Sequence, residues 1–305
     1  MRWGVNLGSA EIDCIVLDHT DTVLARKSVG TDSDLSYGHI LDQMSSLIDS
    51  LTEQLGQRPK CLGVSIPGYV DFQTGILHDS TVQSLNYRPF DADLTRRLGV
   101  PVFVSNTANC FTLAEYYKGV VFRDFRSAKS VFGIVMDSNV GGAFIYDGKI
   151  HQGQNYLSNS WAHTVLDPNG PECFCGKKGC VETYLSVEAL ESYYLFKSGR
   201  SKRLHDIYLS YENGVDIIAE ETIERLIKYF GLAISNLINT LGPDVIILGG
   251  KVANLSVLYD RGLQEVNKNV FRHEYDTPIH QAYLGNQAEL WGATYLMDTS
   301  NISLA

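Results

Sequence analysis

The chain has 305 residues, 44% of them hydrophobic and 20% charged, and carries a formal net charge of -10. That is enough apolar material for a large core and suggests two domains. The acidic balance disfavours a broad nucleic-acid footprint, and no apolar run has the length of a membrane span.

The start, MRWGVNLGSAEID, has neither a basic n-region nor a cleavage site, so a cytoplasmic protein without export is expected. Three strands follow one another: WGVNL, IDCIVLD and TVLARKSV, with turns near Gly8-Ser9 and His19-Thr20-Asp21. A helix is expected over 35–55, because Ile40, Met44, Leu47, Ile48 and Leu51 recur at helical spacing before Gly56. The strands CLGVSI and VPVFVS come next, and a helix over 109–118 completes an α/β pattern.

The second half repeats the theme. SVFGIVMD and GGAFIYDG read as a strand pair with Gly141-Gly142 at the turn. Ser186 is placed to cap a helix starting near Val187. A long helix over 221–241 presents Ile223, Leu226, Ile227, Phe230, Ile234, Leu237, Ile238 and Leu241 on one face, and Gly242-Pro243 stops it. DVIILGG is a buried strand running into a glycine turn, and a last helix spans 288–297. The basic cluster Lys197, Arg200, Lys202 and Arg203 reads as a solvated loop.

The most informative segment is HTVLDPNGPECFCGKKGCVE, from His163 to Glu182. Cys173, Cys175 and Cys180 are three of the chain's six cysteines and fall within eight residues, with His163 ten residues upstream. Soft thiolates plus one imidazole make a tetrahedral zinc shell of structural type. Gly176 and Gly179 let the backbone turn tightly enough to gather the sulfurs. The competing reading is three unrelated reduced thiols. A disulfide is disfavoured, since Cys14, Cys61 and Cys110 are scattered and sit in apolar surroundings that read as buried.

In this order the pieces resemble the ROK family of repressors, open reading frames and sugar kinases, over essentially the whole chain. CFCGKKGCVE after a histidine is similar to the family's zinc signature, and SIPGYVDFQTGIL resembles its PG-V-D-x-x-x-G stretch. VIILGG resembles the stretch lying along the adenosine in family kinases, and YLGNQAELWGATYL its C-terminal helix. The resemblance implies an actin-like ATPase (ribonuclease H-like) fold, with two α/β domains and a ligand cleft between them. Residues 1–117 with the C-terminal helix 288–305 would form the smaller domain, and 118–287 the larger one bearing the zinc loop. The family's transcription factors carry an N-terminal helix-turn-helix. The first strand here starts within a few residues of Met1, so no direct DNA binding is expected. The resemblance also implies a tendency to homodimers.

The departures from the family pattern bear on function. The family base is the aspartate of a motif resembling N-D-A-N, and the chain reads Asn106-Thr107-Ala108-Asn109. A threonine hydroxyl cannot take a proton at neutral pH, so general-base catalysis is lost at Thr107, a typical loss of about 10²–10⁴. The first phosphate loop resembles D-x-G-G-T-K but reads Asn6-Leu7-Gly8-Ser9-Ala10-Glu11. The second resembles G-T-G-x-G-G-G but reads Asp137-Ser138-Asn139-Val140-Gly141-Gly142-Ala143. Carboxylates facing triphosphate repel it, and lost glycines hinder backbone approach. The degraded nucleotide site would retain Gly8, Ser9, Ser138, Gly141, Gly142, Gly249 and Gly250.

The sugar floor implied by the resemblance is Asn106, Thr107, Ser160, His163 and Glu182, with Ser160 in place of a family carboxylate. Trp161 adds a stacking wall or packs in the core. His163 would bind zinc through one ring nitrogen and reach a sugar hydroxyl with the other. These residues point to a kinase-like sugar-binding protein with lost or weak phosphoryl transfer and one structural zinc. The alternative is an active, divergent ATP- and Mg²⁺-dependent kinase of a hexose, amino sugar or N-acetyl sugar.

Overall fold

A computed structural model describes the whole chain except residues 32–35, 72, 154–159, 272–275 and 298–305. The first strand, β1 (Arg2–Leu7), pairs antiparallel with β2 (Glu11–Leu17), which pairs with β3 (Val23–Gly30). Helix α1 (Tyr37–Leu55) starts at Ser36, whose hydroxyl accepts the His39 N–H, and stops at Gly56, where φ is +66°. Leu35, included in the expected helix, lies outside the described residues. The predicted stripe Ile40, Met44, Leu47, Ile48 and Leu51 is buried with Trp3, Val5 and Val64, each such side chain contributing roughly 1.5–3 kcal/mol.

Next come β4 (Leu62–Ile66), the hairpin β5 (Tyr69–Asp71) and β6 (Ile76–His78), α2 (Phe90–Leu98), β7 (Val102–Asn106), α3 (Thr107–Tyr117) and α4 (Val120–Asp124). The first sheet has the order β3-β2-β1-β4-β7, with β1, β4 and β7 parallel. Helix α3 begins two residues before the expected 109, because the Asn106 side chain caps it by accepting the Asn109 N–H at 2.8 Å.

The second sheet has the order β10-β9-β8-β11-β12, built from β8 (Ser130–Met136), β9 (Val140–Tyr146), β10 (Lys149–Ile150), β11 (Val245–Gly249) and β12 (Ile279–Gln281). Gly141-Gly142 is not the β8–β9 turn. Both glycines lie within β9, and the turn is Asp137–Asn139, closed by the Asp137 N–H on the Asn139 carbonyl at 3.0 Å. Gly142 is glycine for packing reasons, since a Cβ would stand 3.0 Å from the Phe132 ring.

Helices α5 (Glu182–Leu185), α6 (Val187–Ser198), α7 (Leu204–Glu212), α8 (Ile217–Leu241), α9 (Arg261–Asn269) and α10 (Ala288–Tyr295) complete the chain. Ser186 caps α6 as expected, accepting the Ala189 N–H at 3.1 Å. Helix α8 starts four residues earlier than its apolar stripe suggests, at the Asp216 cap. Three of the four residues of the basic cluster are ion-paired, Lys197 to Glu221, Lys202 to Asp216 and Arg203 to Glu191, and Arg200 is exposed in the loop.

Glycines let α10 dock on the first sheet and on α3. A Cβ at Gly63 would lie 1.8 Å from the Ala293 carbonyl oxygen, and one at Gly292 would lie 1.7 Å from that of Cys110. The chain divides into two compact units: Met1–Arg126 with Ala143–Ser158 and Tyr283–Ala305, and Ser127–Gly142 with Asn159–Ala282. Among the described residues, no helix is long and apolar enough to cross a membrane.

Candidate metal centre and candidate ligand residues

The second unit brings all four predicted metal ligands together. One donor atom each from His163, Cys173, Cys175 and Cys180 lie within 4.8 Å of one another. Cys175 Sγ is 3.7 Å from Cys180 Sγ, and Cys173 Sγ is 3.5 Å from His163 Nδ1. A tetrahedral zinc shell has an S···S edge of about 3.8 Å and an S···N edge of about 3.6 Å, from metal–ligand distances near 2.3 and 2.05 Å. The cluster therefore has the size and chemistry of a Cys₃His zinc shell.

The backbone explains why these atoms meet. His163 ends a 3₁₀ turn over Ser160–His163. The Cys173 N–H binds the Lys177 carbonyl at 2.8 Å, and the Gly176 N–H binds the Cys173 carbonyl at 2.9 Å, folding the chain around the first two sulfurs. At Gly179 φ is +64°, and a Cβ would fall 1.7 Å from the Asp167 carbonyl oxygen. No other residue fits there. The Tyr229 hydroxyl of α8 donates to Asp167 at 3.1 Å, tying the loop to the long helix. Cys173 and Cys180 are buried and Cys175 is exposed. Of the remaining cysteines, Cys14 and Cys110 are buried as expected, whereas Cys61 is only half-buried.

Glu182 opens α5 directly after the cysteine loop. Its carboxylate is buried and accepts the Val140 N–H at 2.8 Å. Burial pushes this carboxyl up to about 7, against the lowering effect of that bond. Near neutrality it can therefore both donate and accept hydrogen bonds. Ser160 is exposed, and Trp161 packs edge-on against Phe132 with centroids 5.8 Å apart, which favours its packing role.

In the first unit, Asn106 ends β7 and caps α3, and half-buried Thr107 is the first helical residue. Its neighbour Asn109 donates to Ser105 Oγ at 3.0 Å. Thr107, the position expected to match the family aspartate, thus carries a hydroxyl at the first turn of α3. The first phosphate loop is a tight turn in which the Gly8 N–H binds the Glu11 carbonyl at 2.9 Å, with Ser9, Ala10 and Glu11 exposed. Asn6 donates to Glu289 at 3.4 Å through its amide, and its Oδ1 is buried with no hydrogen-bond partner among the described residues.

Sequence reasoning missed Lys251. It follows Gly249-Gly250 and its ammonium sits 2.8 Å from Asp137 Oδ1. The adjacency of a lysine to the glycine pair was the available signal. It also missed a cavity of about 740 Å³ beside the cysteine loop, walled by Glu182, Tyr184, Tyr193, Phe196, Arg225 and Tyr229. Tyr184 and Tyr229 stack at 3.5 Å, with the Arg225 guanidinium 4.3 Å from the Tyr184 ring centre.

The comparisons agree with the family resemblance and with the fold. The ROK family model matches residues 2–300. An N-acetyl-D-glucosamine kinase of Pasteurella multocida is 30% identical over 97% of this chain and 99% of its own length. One from Aliivibrio fischeri is 28% identical, with the same coverage. The crystal structure of a ROK hexokinase from Thermus thermophilus superposes with a TM-score of 0.87 at 25% identity, covering 97% of each chain. The chain belongs to the ROK family and has the actin-like fold of its sugar kinases.

Proposed function

We propose that this chain is a kinase-like sugar-binding protein in which phosphoryl transfer is lost or weak, and that His163, Cys173, Cys175 and Cys180 hold one structural zinc. The observation that carries the first part is Thr107. It stands at the helix position next to the Asn106 cap, where the family motif has its aspartate, and offers no carboxylate to accept a proton. The turn at Asn6–Glu11 supplies no cation, and the turn at Asp137–Asn139 presents a carboxylate, so phosphates are poorly neutralised.

The sugar would be read by Asn106, Thr107, Ser160, His163 and Glu182. Hydroxyl, amide, imidazole and carboxyl groups can all bond sugar hydroxyls. The names of the two bacterial relatives make N-acetyl and amino sugars the first ligands to try. With three thiolates and one imidazole the metal shell is closed, so zinc would hold the loop that ends in Glu182 and fix the His163 ring.

The alternative, an active divergent kinase, draws on the same relatives' names. One assay separates the two: coupled ADP release with ATP, Mg²⁺ and a panel of hexoses, amino sugars and N-acetyl sugars. Turnover at about 1 s⁻¹ or faster, the ordinary kinase range, establishes the alternative. Binding detected by thermal shift, abolished by Glu182→Ala and without ADP release, is the expected outcome.

A further inference from the structure

The Asp137 carboxylate is held in a way that loop degradation alone does not require. Oδ1 accepts the Ser138 N–H at 2.9 Å and the Lys251 ammonium at 2.8 Å. Oδ2 accepts the Lys251 backbone N–H at 3.3 Å. Two backbone donors and one cation therefore converge on a single anion.

The surrounding backbone is rigidly set. The ends of β8 and β11 pair in parallel, with Val135 opposite Gly249. At Gly250 φ is +85°, and a Cβ would lie 2.3 Å from the Met136 carbonyl oxygen, so the two loops touch through a position that only glycine allows. The Asp137 carbonyl is fixed as well, accepting the Val187 N–H at 2.8 Å. The donors are preorganised, and they border a cavity of about 610 Å³ lined by Ser138, Lys251, Arg203 and His205 together with the carboxylates of Glu188 and Glu191, the latter paired to Arg203. That volume lies in the usual small-molecule range of about 300–1,000 Å³.

As a salt bridge the contact explains little. The Lys251 side chain is 68% exposed and that of Asp137 is 35% exposed, and such pairs contribute little to stability. Its chemistry is that of an anion site already filled. Backbone N–H groups aimed at one point, with an ammonium beside them, are what a phosphoryl group needs.

We propose that Asp137 is a built-in occupant of a phosphoryl-anion site formed by Ser138, the backbone of Lys251 and the Lys251 ammonium, and that it excludes pyrophosphate and nucleoside triphosphate from the adjoining cavity. An incoming phosphoryl group must either displace the carboxylate from its three donors or sit beside its charge. The proposal rests on the reading of the chain as a degenerate kinase, because it identifies the residue that disables the second phosphate loop.

Isothermal titration of magnesium pyrophosphate and of Mg·ATP into the full chain tests it. Asp137→Ala and Asp137→Asn should each bind at least about tenfold more tightly than the wild type. Asn keeps the size of the side chain without its charge, so a folding defect in the Ala variant leaves the measurement intact. Adding Lys251→Ala to Asp137→Asn should remove the gain. Equal affinity in wild type and both single variants overturns the proposal, as does a gain that survives the loss of Lys251. ADP release by the wild type would instead sink the degenerate-kinase reading, which makes the two failures distinguishable.

Discussion

The cysteine loop and the two phosphate-loop turns are built from the same materials, glycine turns and short side chains, yet they differ in completeness. In the cysteine loop every part is present. Four donors converge, Gly179 fills a place closed to any Cβ, and Tyr229 anchors the loop to α8. In the turns at 6–11 and 137–139 the backbone closes through the Gly8 and Asp137 N–H groups, but each turn carries a carboxylate, Glu11 in the first and Asp137, paired to Lys251, in the second. Holding a fold and neutralising a triphosphate make separate demands on sequence, and on the degenerate-kinase reading proposed above the first is met while the second is not.

The sharpest test removes a buried donor. Cys180→Ser should drop zinc from about one per chain to near zero. It should destabilise the protein by roughly 3 kcal/mol, a fall in Tm of about 6–12 °C. Elemental analysis and calorimetry measure both, and an unchanged Tm in metal-free variant protein would make the cysteine loop no more structural than the phosphate turns.

Glycine substitutions compare the two regions directly. Gly179→Ala forces a Cβ into the Asp167 carbonyl in a left-handed backbone and should cost roughly 2–4 kcal/mol, with loss of metal. Gly8→Ala places its Cβ 3.2 Å from the Glu11 carbonyl oxygen without such a backbone and should cost less than about 1 kcal/mol. Denaturant titration of the pair reads the difference, and similar costs would erase the contrast.

The helix behind the cysteine loop carries a pH signature. Asp216 caps α8, accepting the Ile218 and Ala219 N–H groups, and the Tyr194 hydroxyl and Lys202 help hold its carboxyl at about 2. The folded value lies below the unfolded one, near 3.9. Its contribution is therefore complete above about 3.9 and disappears as pH falls through about 2. Asp216→Ala should cost about 1 kcal/mol at pH 7, and the Tm gap to wild type should close toward pH 2. A gap that stays constant with pH would remove Asp216 from the loop's support.

The smallest effect is expected where the phosphate turns are left untouched. Thr107→Asp alone should give negligible ADP release with N-acetyl and amino sugars, because a base has little to act on without held phosphates. Adding Asn6→Asp, Ala10→Thr, Glu11→Lys, Asp137→Gly and Asn139→Gly should raise it. If Thr107→Asp alone reaches about 1 s⁻¹, the turns are competent and the contrast between the regions is false.

By itself the sequence determined whatever depends on local pattern. The stripe of α1, the Ser186 cap, the strand ending in Gly249-Gly250 and the gathering of His163, Cys173, Cys175 and Cys180 were legible because helical period, capping chemistry and short spacing are properties of neighbours in the chain. It misjudged places where local signals conflict. Gly141-Gly142 reads as a turn, but both residues lie in β9 beside β8, and Gly142 is glycine because the Phe132 ring leaves no room for a Cβ. Asn109 reads as a helix start, yet the Asn106 cap moves the start to Thr107. Only the tertiary structure decided the rest. The meeting of Asp137 with Lys251, 114 residues away, the fit of Gly63 beneath α10 and that of Gly292 of α10 against α3 depend on which segments the fold brings together. Such contacts are set by strand pairing and close packing between distant segments, and no periodicity along the chain records them.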